Sequence, residues 1–533
     1  MATDRYNSKG SGQRRPGPHQ RREEKAAART APSGPTGGRP IAPRGAGSRS
    51  APRTGGAGAA HAGGHGAPHA GGAPHAGGAK RFGGARPGGA PRGSSARPGG
   101  PRGDPRPSSF AALADPGGKP AFAKRHGPRG AAVRPTSGDD GEATVVVNSH
   151  GLARLKGGHT WVYQTDVEAH AALAGGSVVK VVDDRGFFLG KAFYGKESQI
   201  ALRLLTREEE PIDEAFFTKR LERAIKLREQ FKPDPARKSA TRLVHGEADG
   251  LPGLVVDRYA DCLSIQTLTE ATEMRREALA DLLQKLLSPR AIVERNDVKV
   301  RAHEGLELTK RVLRGALSGP VEYREGEILL QADLLEGQKT GAFLDQAENH
   351  VEAGRYAFGK ALDAFSYAGG FALQLARHAD SVLAIDQSEK ALESAVAAAA
   401  RNGAGIAGKL TTKAINAFDF LKDQVDEGQR WDTIVLDPPA FAKNRGALDP
   451  ALRGYKEINL RALQLLSPGG VLITCSCSFH VDDALFEKTV LAAAADAGRT
   501  VQVVERRGAG RDHPTLLGVP ETRYLKCLVL RVV

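Results

Sequence analysis

Cysteine is scarce in this sequence: four occur in 533 residues, and none is spaced C-x-x-C. That excludes a disulfide framework and fits a reducing compartment, so the expected location is the cytoplasm. No run of about 18 apolar residues occurs, and the start carries no apolar leader core, which argues against a membrane span and against secretion. Acidic residues are also few at one end. Residues 1–142 hold 24 Lys+Arg against 8 Asp+Glu, a net of +16, whereas the remainder holds 52 basic and 53 acidic residues. The whole positive excess therefore sits in one segment.

That segment is dominated by Gly, Ala, Pro and Arg and includes the near-repeat "HAGGHGAPHAGGAPHAGGA". With no sustained apolar periodicity, it is expected to be disordered. A cationic arm of this kind gains affinity for a polyphosphate by counterion release, without fixed structure. His61, His65, His69 and His75 lie within it, but no cysteine or carboxylate joins them as a ligand set, and no metal site is expected.

From Ala143 the text changes to short β-like runs, "ATVVVNS", "GSVVKVVDDRGFFLGKAFY" and "QIALRLLT", with a hairpin turn at Asp183 to Gly186. A small β-domain is expected over 143–210. The next stretch, 211–328, alternates helical spacing ("PIDEAFFTKRLERAIKLREQF", "TEMRREALADLLQKLLS") with strand text ("GEADGLPGLVVDRYADCLSIQTL", "AIVERN") and reads as α+β. From about Leu329 to Val533 the pattern is strand, loop, helix, repeated. This predicts a doubly wound α/β domain with its ligands at the carboxyl ends of the strands.

Five stretches at such strand ends carry the chemistry. "DAFSYAGGF", residues 363–371, places Gly369 and Gly370 between a strand and a helix, where a ligand could approach the backbone; it is not the G-x-G-x-x-G of dinucleotide binders. Asp386 closes the next strand, "SVLAID", where a carboxylate can accept hydrogen bonds from a ribose diol. A nucleoside cofactor without pyrophosphate follows, S-adenosylmethionine being the common one. Asp419 in "NAFDFL" is expected at a third strand end, near the adenine. "VLDPPAF", residues 435–441, fixes Asp437 on a stiff turn suited to a planar nitrogen heterocycle.

The fifth stretch, "VLITCSCSFH" at 471–480, holds two of the four cysteines. Cys262 and Cys527 lie far off in sequence without companion spacing, so zinc is disfavoured. Cys475 and Cys477 would share a face of a regular strand, too near for an ordinary disulfide. One can be buried as a small hydrophobe. The other, Cys477, stands at the sheet edge beside Asp386 and Asp437 and suits a nucleophile. C5 of a pyrimidine becomes nucleophilic only after a thiolate adds to C6, and a carboxylate near N3 steadies the resulting charge. Cys477 and Asp437 fit those two roles.

"FSYAGGF", "LDPPAF", "RGYKEIN" and "TCSCS", with "EGQKTGAFLDQ" at 336–346 and "DHP…YLK" further on, closely resemble the RlmI-like 23S rRNA 5-methylcytosine methyltransferases. The resemblance runs over about 143–533 and includes "GGHTWVY" and "GEADGLPGLVVDRY". It implies an RNA-binding PUA domain, a central α+β domain and a class I, Rossmann-like methyltransferase domain, acting on large-subunit rRNA, naked or in a precursor particle. It also implies a donor site at Ser366, Gly369, Gly370, Asp386 and Asp419, bordered by Lys339 and Thr340, with Cys477 as the motif cysteine. Ala440 departs from the family, where a Lys follows the two prolines. Unlike 5-methylcytosine enzymes with two cysteines, the stretch directly after Asp437 contains none, so release of an adduct must use another group, and the base that removes the C5 proton is unassigned. Two other readings stay open: an amino-group methyltransferase acting on guanine N2 or adenine N6, and an inert RNA-binding assembly factor. The oligomeric state stays open between monomer and homodimer.

Overall fold

The computed structural model describes residues 142–168, 173–236 and 238–533, so the basic tail lies outside the described residues apart from Glu142. A five-stranded sheet comes first, in the spatial order Thr144–Val146, Val178–Val182, Phe188–Tyr194, Ile200–Thr206, Trp161–Tyr163. Val178–Val182 and Phe188–Tyr194 pair antiparallel about the expected turn. Asp183 makes that turn by accepting the Arg185 and Phe187 N–H groups at 3.0 and 2.9 Å, and Gly186 supplies a φ of +81°.

A second sheet follows in the order Lys310–Gly315, Ala291–Arg295, Cys262–Thr267, Leu254–Tyr259, Ala240–His245. The helix Glu214–Phe231, capped by the Asp213 carboxylate on the Phe216 N–H, packs on it through Leu221 and Ile225. The single helix expected over "TEMRREALADLLQKLLS" is two, Glu270–Met274 and Arg276–Leu287. Arg275 lies at the break, and its guanidinium donates to the carbonyls of Ala271 and, in the first sheet's domain, Gly176. A hairpin that local pattern did not reveal, Val321–Glu325 with Ile328–Ala332, comes next; Leu329 lies inside its second strand.

The third sheet has seven strands: β1 (Lys360–Ala364), β2 (Ser381–Asp386), β3 (Leu410–Ala414), β4 (Trp431–Leu436), β5 (Leu466–Ser476), β6 (Val501–Arg507) and β7 (Lys526–Val532). Their spatial order is β3-β2-β1-β4-β5-β7-β6; the first five are mutually parallel and β7 is antiparallel to both neighbours. Near-continuous apolar text such as "TIVL" in β4 is what a strand covered on both faces requires, and Ile434, Val435 and Leu436 are fully buried. The strand order reverses between β1 and β4, which opens a crevice at their carboxyl ends. Helices α1 (Ala347–Tyr356), α2 (Gly370–Leu375), α3 (Glu389–Arg401), α4 (Ala417–Asp426), α5 (Leu448–Leu465) and α6 (Asp483–Asp496) cover the faces.

Buried charge fastens the second and third sheets' domains together. Arg228 makes two bonds to Asp249, at 2.5 and 2.8 Å, and donates to the Asp512 carbonyl, with its side chain 2% exposed. Arg242 grips Asp257, and Lys232 reaches Asp512 at 2.9 Å. The segment from Asp333 to Gln346 is thereby a strap. On one side Arg295 holds the carbonyls of Leu334 and Gly337, Tyr259 accepts the Ala342 N–H, and Thr340 donates to Asp257 at 2.5 Å; on the other it enters the crevice.

Candidate active site

The loop after β1 is held in a strained shape by its own polar groups. Phe365 and Tyr367 adopt φ of +67° and +50°, and Gly369 follows at +83°. The Ser366 hydroxyl donates to Asp363 at 2.6 Å and its N–H to the Ile385 carbonyl of β2; Asp363 also accepts the Ala372 N–H. The two glycines answer a packing demand. A Cβ on Gly369 would stand 2.8 Å from that of Ala395 in α3, and one on Gly370 would enter the His350 ring of α1. Packing alone is therefore enough to forbid a side chain at either position.

Asp386 ends β2 as expected. Each carboxylate oxygen accepts one backbone N–H, from Tyr367 at 2.9 Å and Ser388 at 2.8 Å, which leaves each oxygen a further lone pair for a ribose hydroxyl. Asp419 is not at a strand end. β3 stops at Ala414, Asn416 caps α4, and Asp419 lies exposed in that helix's first turn. The asparagine cap starts the helix earlier than the apolar pattern suggested.

The strap supplies two more expected residues with different fates. Lys339, itself at φ +53°, places its ammonium 2.8 and 2.9 Å from the Asp345 oxygens and 4.4 Å over the Phe343 ring. Phe343 in turn meets Tyr367 of the donor loop edge to face, at 5.3 Å. Thr340 does not border that loop through its side chain: it is buried, with its hydroxyl committed to Asp257.

Asp437 and Cys477 come together at the ends of β4 and β5. Gln346 donates to Asp437 at 2.8 Å; Asn349 holds Gln346 at 2.6 Å, and Arg507 holds Asn349 at 2.8 Å. Burial pushes the Asp437 carboxyl up to about 6. β5 ends at Ser476, and Cys477 turns out of the strand with its sulfur 3.9 Å from the Pro438 carbonyl. Burial, then the Asp437 charge, pushes its thiol up to about 11. The two cysteines therefore have opposite surroundings. Cys475 is fully buried among apolar residues and pairs across the sheet with Cys527, which is distant only in sequence.

Three groups without a role assignable from sequence complete the site. Lys526 of β7 is buried, donates at 2.7 Å to the carbonyls of Ser478 and Tyr524, and is pushed down by that burial to about 8. Tyr524 donates to Asp345 at 2.6 Å. The Ser478 hydroxyl accepts the Ala442 N–H and bonds Tyr455, which ties the loop after Asp437 to the loop after Cys477. The strings "EGQKTGAFLDQ" and "YLK" were the available signal. They marked the residues without showing that these meet.

One polar atom bears on the cofactor. Among the described residues, Oδ1 of the fully buried Asp363, at the base of the donor loop, has no hydrogen-bond partner. A cationic or N–H-bearing ligand would satisfy it, and S-adenosylmethionine carries both groups. With the lone pairs of Asp386 above it, the loop fits that donor.

Comparison with known proteins agrees with this geometry. Residues 145–207 match a PUA-like domain model, and residues 311–531 match an S-adenosylmethionine-dependent methyltransferase model. The ribosomal RNA large subunit methyltransferase I of Vibrio cholerae is 40% identical over 386 residues, 71% of this chain and 96% of that protein. The chain belongs to the ribosomal RNA large subunit methyltransferase I family. The Shewanella denitrificans member is 41% identical over 382 residues and the Escherichia coli member 39% over 383, each covered to 95%. In fold it also resembles the solved structure of SMU.776 complexed with SAH, at TM-score 0.63 and 19% identity over 73% of this chain and 100% of that one. It is a PUA-like domain followed by a Rossmann-like methyltransferase, with S-adenosylmethionine as cofactor. Among the described residues no helix is long and apolar enough to cross a membrane.

Proposed function

We propose that this protein methylates C5 of a cytosine in large-subunit rRNA through a covalent adduct on Cys477. The observation that carries the reading is the convergence of Cys477 and Asp437 at adjoining strand ends, beside the loop that fits the donor. Ser366, Gly369, Gly370 and Asp386 would hold S-adenosylmethionine, which supplies an electrophilic methyl group. Asp419, exposed in its helical turn, would reach the adenine only from the rim.

The chain's own residues prepare the base. Asp437 and Cys477 share one proton between them: its transfer from sulfur to carboxylate leaves a thiolate facing a neutral acid. The acid then donates to N3 while the sulfur adds to C6, which makes C5 electron-rich. Gln346 keeps Asp437 aimed while its charge changes. After methyl transfer a base removes the C5 proton, the S–C6 bond breaks to return the thiolate, and N3 gives its proton back to the Asp437 carboxylate. Domains 143–210 and 211–328 would grip the rRNA, naked or within a precursor particle in the cytoplasm, and 329–533 would perform the chemistry.

The test uses RNA in which 5-fluorocytosine replaces cytosine. Fluorine at C5 cannot leave as a proton does, so the adduct persists and should be seen as a protein–RNA band that Cys477→Ala abolishes. Methylation without any trapped complex would favour direct attack by an exocyclic amine, as in the guanine N2 or adenine N6 enzymes.

A further inference from the structure

Beside Cys477 the surface combines features unlike its surroundings. Phe479, two residues on, is 41% exposed, and its ring meets that of His480 edge to face at 5.4 Å. Alone, an exposed phenylalanine is ordinary. Facing it is the segment after Phe441, fixed there by the bond from the Ala442 N–H to the Ser478 hydroxyl. That segment carries Lys443 and Arg445, both exposed, and among the described residues neither side chain has an ion-pair or hydrogen-bond partner. Arg523, by contrast, is held by Asp483 at 2.8 Å. Burial, then the Arg445 charge, lowers His480 below its ordinary range, which puts Arg445 on the same lip.

A thiolate reaches C6 of a cytosine only when that base has left its stack, and its departure leaves the neighbouring base with a bare face. We propose that Phe479 stacks against the nucleotide next to the target cytosine while Lys443 and Arg445 hold the phosphates of that single-stranded segment. The inference rests on the RNA substrate proposed above and adds which residues hold the flank. Each group suits its role, since every base has a π-face for an aromatic ring, and unpaired cations beside it need no release from a carboxylate before meeting a phosphate. Phe479 is exposed where Cys477 is partly buried with its sulfur 3.9 Å from the Pro438 carbonyl, which suits the ring to the neighbour of the target base.

The test measures affinity, by fluorescence anisotropy, of the full chain for a single-stranded 12-nucleotide RNA with one central cytosine, and for the same strand made abasic at either flank. Phe479→Ala should weaken binding to the intact strand by about tenfold and leave binding to one of the abasic strands unchanged; Phe479→Trp should retain affinity. Lys443→Ala with Arg445→Ala should lower the slope of log affinity against log salt by about 0.7 for each phosphate no longer held, without altering the abasic difference. S-adenosylmethionine affinity, unchanged in all variants, verifies that they are folded. Wild-type binding with Phe479→Ala indistinguishable from it on every strand overturns the stacking role alone. A wild-type protein that neither binds nor methylates RNA overturns the proposed function and this inference together.

Discussion

Cys475 and Cys527 face each other across β5 and β7, sealed in the core, while Cys477, two residues from the first of them, has left the strand and turned its sulfur toward Pro438. The same residue type thus serves two ends within one short stretch. Burial, then its neighbour Cys527, holds the Cys475 thiol well above its ordinary range, and its full enclosure among apolar residues keeps a substrate from reaching it.

Cys477→Ala should therefore abolish methylation while S-adenosylmethionine still binds, measured by calorimetry alongside the activity assay. Cys475→Ala should keep most activity and lose about 1 kcal/mol of stability through the small cavity it leaves. The reverse pattern would reassign the nucleophile.

Asp386→Ala should weaken S-adenosylmethionine binding by about 1.5–3 kcal/mol, the worth of hydrogen bonds to a charged acceptor. Asp386→Asn, which keeps one acceptor oxygen, should lose less. RNA affinity should not change in either. Equal donor affinity in wild type and Asp386→Ala would remove the ribose from this strand end.

The raised carboxyl of Asp437 has a stability cost whose sign can be worked out. Its folded value, about 6, lies above the ordinary carboxylate value, so the native state binds the extra proton between the two and stability falls as pH rises through that window. Asp437→Asn should thus be more stable than wild type at pH 7.5, by about 1–3 kcal/mol, and show little gain at pH 4.5. Urea unfolding at the two pH values measures this. The same variant should be inactive, the stability being held in reserve for the proton transfer.

Arg228→Ala should destabilise the protein by about 3–5 kcal/mol, because it strands the Asp249 carboxylate away from water. Removing both partners, with Asp249→Ala, should recover part of that loss. Denaturant midpoints for the two variants decide it, and additive losses would mean that the pair is not a unit.

What could be read from the sequence was whatever depended on local periodicity. Asp386, Asp437 and Cys477 close apolar runs of strand length, and a strand's end is visible without knowing its neighbours. Asp419 was misplaced because an asparagine cap began a helix where the strand was expected to continue. Thr340 was misread for a different reason: its partner, Asp257, lies 83 positions away, and no local pattern announces such a bond. Gln346, Lys526 and Ser478 were similarly hidden, since their roles consist of contacts with distant elements. The hairpin of Val321–Glu325 and Ile328–Ala332 was missed where one pattern of alternation gave way to another.

The position of β7 has a consequence for the order in which this protein comes to life on the ribosome. β7 follows β6 in the chain yet inserts between β5 and β6, and its Lys526 pins the carbonyl of Ser478, next to the proposed nucleophile Cys477. A nascent chain emerges amino terminus first, so the donor loop can form while the seat of the cysteine is still waiting for its last strand. The seat of the thiol thus depends on a strand made well after the donor loop.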